Sequence, residues 1–156
     1  VQLVKPQTPA FDASTWKIGI VVAQFNQQIT DQLYDAAIQR ASDYGIRPEN
    51  ITTLRVAGAV ELPLALQQLA RVGGYQALLA IGCVIDGQTP HFEYVCKFAT
   101  EGILRVQLDH NLPIGFGVLT CRTLEQARAR AHLGGEHLDA AMSLAKSLAH
   151  LPLSKQ

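Results

Sequence analysis

Two kinds of apolar pattern take turns along the chain: short runs, and longer stretches where apolar positions recur every three or four residues. Lys17 to Ala23 (Lys-Ile-Gly-Ile-Val-Val-Ala) is rich in β-branched residues and predicts a first strand, and Ile51 to Val56 a second. Tyr75 to Ile85 is apolar almost throughout and lacks period-two alternation, which suits a strand buried on both faces of a parallel sheet. Leu112 to Thr120 is the fourth run. Between them lie helical patterns. Thr30 to Tyr44 sets Leu33, Ala37, Ala41 and Tyr44 on one face and is closed by Gly45. Pro63 opens a helix that runs to Arg71, ahead of Gly73-Gly74. A third starts at Pro90 with Phe92, Val95, Cys96, Ala99 and Ile103 turned inward. Thr123 with Gln126 three places on is a capping-box spacing for a helix that carries Arg128 and Arg130. A last helix runs from about Glu136 to Leu148. Strands alternating with helices predict an α/β fold with a four-stranded, doubly wound parallel sheet. Val1 to Trp16, with Pro6 and Pro9 and no helical period, reads as an extended arm that suits a sheet edge, its own or a neighbour's. The expected organisation is an arm over 1–16, a single domain over 17–150 and a tail over 151–156.

The third strand ends in the stretch around which the chain is organised, Ile81 to Val95. Its end opens on a crevice, Gly87 is read as the turn residue, Thr89 as a helix cap and Pro90 as the first helical residue. Amides near Gln88 and Thr89 at a helix start suit a phosphate, and His91 beside them suits proton transfer. A histidine in a first helical turn is also an ordinary surface residue. Phe25-Asn26 and Gly58 to Glu61 follow the first two strands, and in a parallel sheet these ends share one edge and converge. Each has two readings. Phe25 stacks on a flat ring or anchors its loop, and Glu61 accepts from ligand hydroxyls or is a carboxylate favoured at a helix start. Arg130 holds a phosphate or lies on a solvated face.

Composition narrows the class. Of the 156 residues 48% are hydrophobic and 17% charged, so the surface is sparse in charge or partly covered by other subunits, and the second reading is favoured. Lys+Arg and Asp+Glu both number 13, with no basic run, which argues against nucleic-acid and anionic-membrane partners. Cys83, Cys96 and Cys121 are odd in number, far apart and without C-x-x-C spacing, so they read as small apolar residues and not as a disulfide or metal site. With no signal-like segment and no run long enough to cross a bilayer, the expected location is cytoplasmic. Ile20 to Asn26 lacks the glycines of dinucleotide or nucleoside-triphosphate loops.

Phe25-Asn26, Val56 to Pro63, Gly82 to Val95, Pro113 to Thr120 and Glu125-Gln126-Ala127 to Arg130-Ala131 together resemble the lumazine synthase family, over about Trp16 to Leu148. Gly-x-Thr-x-His-Phe-Glu-Tyr-Val, Gly87 to Val95, is the most specific of these matches. The resemblance implies a flavodoxin-like three-layer sandwich, pentameric building blocks, and active sites between subunits of a homo-oligomer. It implies that 5-amino-6-ribitylaminouracil condenses with 3,4-dihydroxy-2-butanone 4-phosphate to 6,7-dimethyl-8-ribityllumazine, releasing phosphate, in riboflavin biosynthesis, with no metal or other cofactor. By motif, Phe25 would stack on the pyrimidine, Cys83, Val84 and Ile85 would bond its edge through their backbone, and Ala59, Val60 and Glu61 would hold the ribityl chain. Gln88, Thr89 and Arg130 would bind the phosphate, His91 would move protons, and Phe116 would reach in from the adjacent subunit.

The chain departs from the family at several points. Gln24 replaces an arginine, Ala57 a proline, Val60 a common aromatic residue, and Asp86 a usual arginine or lysine; Gly134-Gly135-Glu136-His137 stands where many members have Gly-Asn-Lys-Gly. Asp86 either repels the phosphate or is paired with a cation such as Arg122 or Arg128. An active synthase is therefore set beside a weakly active paralogue that keeps the pentamer and binds flavin-like ligands, and beside a structural shell protein. Single pentamers, decamers and icosahedral shells all stay open.

Overall fold

The computed structural model describes residues 10–151. Most of the arm and all of the tail but Leu151 lie outside the described residues. Four strands, β1 (Ile18–Ala23), β2 (Ile51–Val56), β3 (Ala77–Ile85) and β4 (Ile114–Cys121), form an all-parallel sheet in the order β2-β1-β3-β4. Register is set by Ile18 beside Ile51 on one side and Ala77 on the other, and by Ile85 beside Cys121. Every residue of β1 is buried, as two helical layers require.

Alternate residues feed two cores. Ile18, Ile20 and Val22 with Leu79 and Ile81 pack under α1 (Gln27–Asp43) and α5 (Gly134–Ala149). Val21 and Ala23 with Leu78 and Ala80 pack under α2 (Leu62–Val72) and α3 (His91–His110). The short α4 (Leu124–Arg128) follows β4. Glycine sets the closeness of each helix pair: a Cβ at Gly134 would collide with the Leu33 carbonyl of α1, and one at Gly102 would stand 2.5 Å from Pro63 Cγ of α2. Across the first pair, Arg40 and Tyr44 both bond Asp139, the phenol at 2.6 Å. Burial disfavours the Arg40 charge, but Asp139 outweighs it and raises the guanidinium pKa; burial and the same carboxylate raise that of Tyr44.

The arm is not free where it is described. Phe11 meets Trp16 and Tyr44 edge-on, each at 5.1 Å, and Ala13 donates to the Tyr44 carbonyl at 2.8 Å. Several expected boundaries move. Helix α1 starts at Gln27, ahead of Thr30, because Asn26 turns left-handed at φ 59°. Helix α5 starts at Gly134, ahead of Glu136. The helix expected to carry Arg130 ends at Arg128, and Arg130 opens a separate single turn.

Candidate active site

In this strand order the chain leaves β1 toward β2 on one side and β3 on the other, so the loops after β1 and β3 part and leave a crevice at their carboxyl ends. A cavity of about 330 Å³ lies there. Phe25 and Asn26 come from the end of β1, Gly58 to Glu61 from the turn after β2, Cys83 to Ile85 from the end of β3, and Thr89, His91, Phe92 and Val95 from the start of α3. Local bonds place each wall. The loop after β1 continues the pairing with β2, Gln24 N–H to Val56 O and Phe25 N–H to Ala57 O, which projects the Phe25 ring outward, 73% exposed. Asn26 then donates Nδ2–H to the Cys83 carbonyl at 2.8 Å, tying β1 to β3 across the crevice. Glu61 Oε2 accepts the Gly58 N–H at 2.9 Å, so its carboxylate closes its own turn while it faces the cavity.

Burial pushes the Cys83 thiol up to about 12, helped by the nearby Cys121. It is therefore a neutral wall residue and no nucleophile at neutral pH. His91, the first residue of α3, is exposed on the cavity wall. No side chain caps α3; in its first turn the Glu93 and Tyr94 N–H groups donate to the Pro90 carbonyl at 3.0 and 3.3 Å. An adjoining space of about 290 Å³ is lined by Asp86, Gln88 to Pro90, Phe92 and Glu93.

The turn itself differs from expectation. The left-handed residue is Gln88, at φ 73°, and not Gly87, where a Cβ would meet open space. Thr89 is not the cap of α3; Pro90 occupies that position. The reason lies in Asp86, whose Oδ1 accepts the Gln88 N–H at 2.9 Å and forms the short turn that aspartate favours. Its Oδ2 lies 3.3 Å from Arg122 Nη1, the pairing that one of the two readings expected, and with the guanidinium 77% exposed that pair screens the carboxylate only in part.

Nine sequence-predicted residues share the main cavity: Phe25, Ala59, Val60, Glu61, Cys83, Val84, Ile85, Thr89 and His91. Gln88 lines the adjoining space. Phe116 and Arg130 line neither. Phe116 sits at mid-strand on the sheet's edge strand β4, 42% exposed, and the Arg130 Nη1–H is turned back onto the Gln126 carbonyl at 2.9 Å. Phe92 and Val95 were expected only as an inner helix face, yet both line the cavity. A pattern of apolar residues marks such a face but not the opening at its end. Among the described residues no group of three or more His, Cys, Asp or Glu is placed to hold a metal ion.

Residues 15–149 match the family model described as 6,7-dimethyl-8-ribityllumazine synthase. Curated proteins of that name are similar over nearly their whole length. The one from Desulfovibrio desulfuricans is 41% identical over 147 residues, covering 93% of this chain and 94% of the relative. That from Coxiella burnetii is 40% identical, over 92% and 98%, and that from Mycobacterium avium 44% identical, over 94% and 93%.

Proposed function

The chain belongs to the 6,7-dimethyl-8-ribityllumazine synthase family, and on that premise we propose that it is the transferase of riboflavin biosynthesis that condenses 5-amino-6-ribitylaminouracil with 3,4-dihydroxy-2-butanone 4-phosphate. The observation that carries this reading is the strand-end cavity, which brings an exposed aromatic ring, a carboxylate and a histidine to one opening beside uncapped helix amides. Phe25 stacks on the pyrimidine. The backbone of Val84 and Ile85 bonds its edge, with the Cys83 carbonyl already shared with Asn26. Ala59, Val60 and Glu61 hold the ribityl chain.

The phosphate sits toward Gln88 and Thr89, with Arg130 swinging from its Gln126 bond to meet it. The amine adds to the ketone and water leaves to give an imine; phosphate is eliminated to leave an enol that becomes a carbonyl; the ribityl-bearing amine closes the ring on that carbonyl and a second water leaves. Each step moves a proton, and His91, which lines the cavity, is the residue that carries it in this reading. No step calls for a metal or redox cofactor.

The site is completed by a second copy. Phe25, Tyr94, Phe98, Leu104 and Leu108 are large apolar side chains left exposed on one subunit, and Phe116 on an edge strand is suited to a neighbour's site. We assign a homo-oligomer in multiples of five acting on small metabolites, and, with free buried thiols at Cys83 and Cys121, a cytoplasmic location. Asp86 stands against the phosphate end and so favours the weakly active paralogue, but its pairing with Arg122 offsets part of that charge reversal. The test is turnover: with both substrates the purified chain forms lumazine faster than the uncatalysed mixture, and Phe25→Ala raises the pyrimidine KM about tenfold, the worth of one stacked base. A rate equal to the uncatalysed mixture overturns the reading.

A further inference from the structure

The turn between β3 and α3 carries an anion of its own. Asp86 is fixed at three points: its N–H donates to the Cys121 carbonyl at the end of β4 at 2.9 Å, Oδ1 accepts from Gln88 N–H at 2.9 Å, and Oδ2 faces Arg122 Nη1 at 3.3 Å. The carboxylate side chain is 27% exposed and the guanidinium 77%, so the arginine has open space in which to follow the carboxylate when it turns. Asp86 and Gln88 line the same space, next to Thr89.

We propose that Asp86 is a specificity-determining residue, whose carboxylate competes with the phosphate of the substrate for the Gln88 amide. This rests on the reading that the Gln88–Thr89 turn receives that phosphate. A backbone amide has one hydrogen, and while it is given to the carboxylate at 2.9 Å it is not available to a phosphate oxygen. Two anions within about a Debye length also repel. The phosphate therefore enters by displacing Oδ1 from Gln88. Arg122 makes that displacement possible: with five donors it keeps hold of Oδ2 as the carboxylate swings away, and it offsets the repulsion. The resulting enzyme holds its phosphate-bearing substrate more loosely than a turn with a free amide would, while the pyrimidine, bound at the other end of the cavity, is unaffected.

The experiment measures KM for each substrate and competitive inhibition by inorganic phosphate in the wild type, Asp86→Ala, Asp86→Asn, and the exchange Asp86→Arg with Arg122→Asp. Asp86→Ala, which removes both the acceptor and the charge, is expected to tighten the phosphate substrate and inorganic phosphate by about three- to tenfold, the range for one nearby, partly screened charge, and Asp86→Asn, which removes the charge but keeps an oxygen able to accept from Gln88 N–H, by a smaller factor, with the pyrimidine KM unmoved in both. The exchange keeps an ion pair between β3 and β4, so it reports even if Asp86→Ala fails to fold. A mere brace predicts wild-type constants for it, whereas competition predicts phosphate binding tighter than in the wild type. Unchanged or weaker phosphate binding in Asp86→Asn and in the exchange, or equal shifts for both substrates, overturns the proposal while leaving the enzyme reading intact. Absence of turnover in the wild type overturns both.

Discussion

His91 and Arg130 stand at different distances from the cavity, and their substitutions should separate accordingly. His91 lines the wall, and His91→Ala is expected to lower kcat by about 10²-fold, the lower range for general acid–base catalysis, with little change in either KM. An unchanged kcat would remove it from the mechanism. Arg130 must leave its bond to Gln126 to reach a phosphate, so Arg130→Ala should raise the KM of the phosphate substrate by about tenfold or more and spare the pyrimidine; equal losses would make it structural. Cys83 gives a pH test. Its folded-state pKa is raised from 9.0 to about 12, so the neutral thiol contributes stability that is complete below pH 9 and is lost as pH rises toward about 12. Urea midpoints should fall across that window, less so in Cys83→Ala, and an identical profile in the two proteins would contradict the assignment. Most of these residues were legible in the sequence because they stand where apolar runs stop. The Asp86 turn was not: which residue turns left-handed depends on a carboxylate bonding two residues ahead, and glycine at 87 was the more obvious candidate.

At the level of elements, the alternation of apolar runs and helical periods was enough to read four parallel strands, because each pattern reports burial on two faces or one. Helix starts were harder. Asn26 is a common capping type, but at φ 59° its side chain bonds the Cys83 carbonyl and not its own helix, and the Gly134 start of α5 is set by the close approach of α1. Gly134 is needed because the α1 backbone passes where its side chain would be, so Gly134→Ala should cost about 3 kcal/mol and lower Tm by roughly 10 °C. Gly102→Ala meets a side-chain ring and not backbone, Pro63 Cγ and Cβ at 2.5 and 2.8 Å, and should cost about 1–2 kcal/mol. Differential scanning calorimetry distinguishes these outcomes, and a wild-type Tm for Gly134→Ala would show that the two helices can separate without loss.

For the whole molecule, the low charge content read from the sequence and the apolar side chains left exposed on α3 and β4 point the same way, to subunits that cover one another. Light scattering is expected to give a mass that is a multiple of five chains, and a monodisperse monomer at micromolar concentration would contradict it. Phe116 was expected at a neighbour's site, a placement that no pattern within one chain can mark. In the proposed enzyme one end of the strand-end cavity takes the pyrimidine and the turn from Gly87 to His91 takes the phosphate. A crystal structure with an unreactive ribitylamino-pyrimidine and inorganic phosphate bound together shows whether both do. The ring is expected stacked on Phe25, the ribityl chain along Ala59 to Glu61, and phosphate on the Gln88 and Thr89 amides with Asp86 swung aside. A pyrimidine bound away from Phe25, or phosphate bound away from the turn, would contradict this placement.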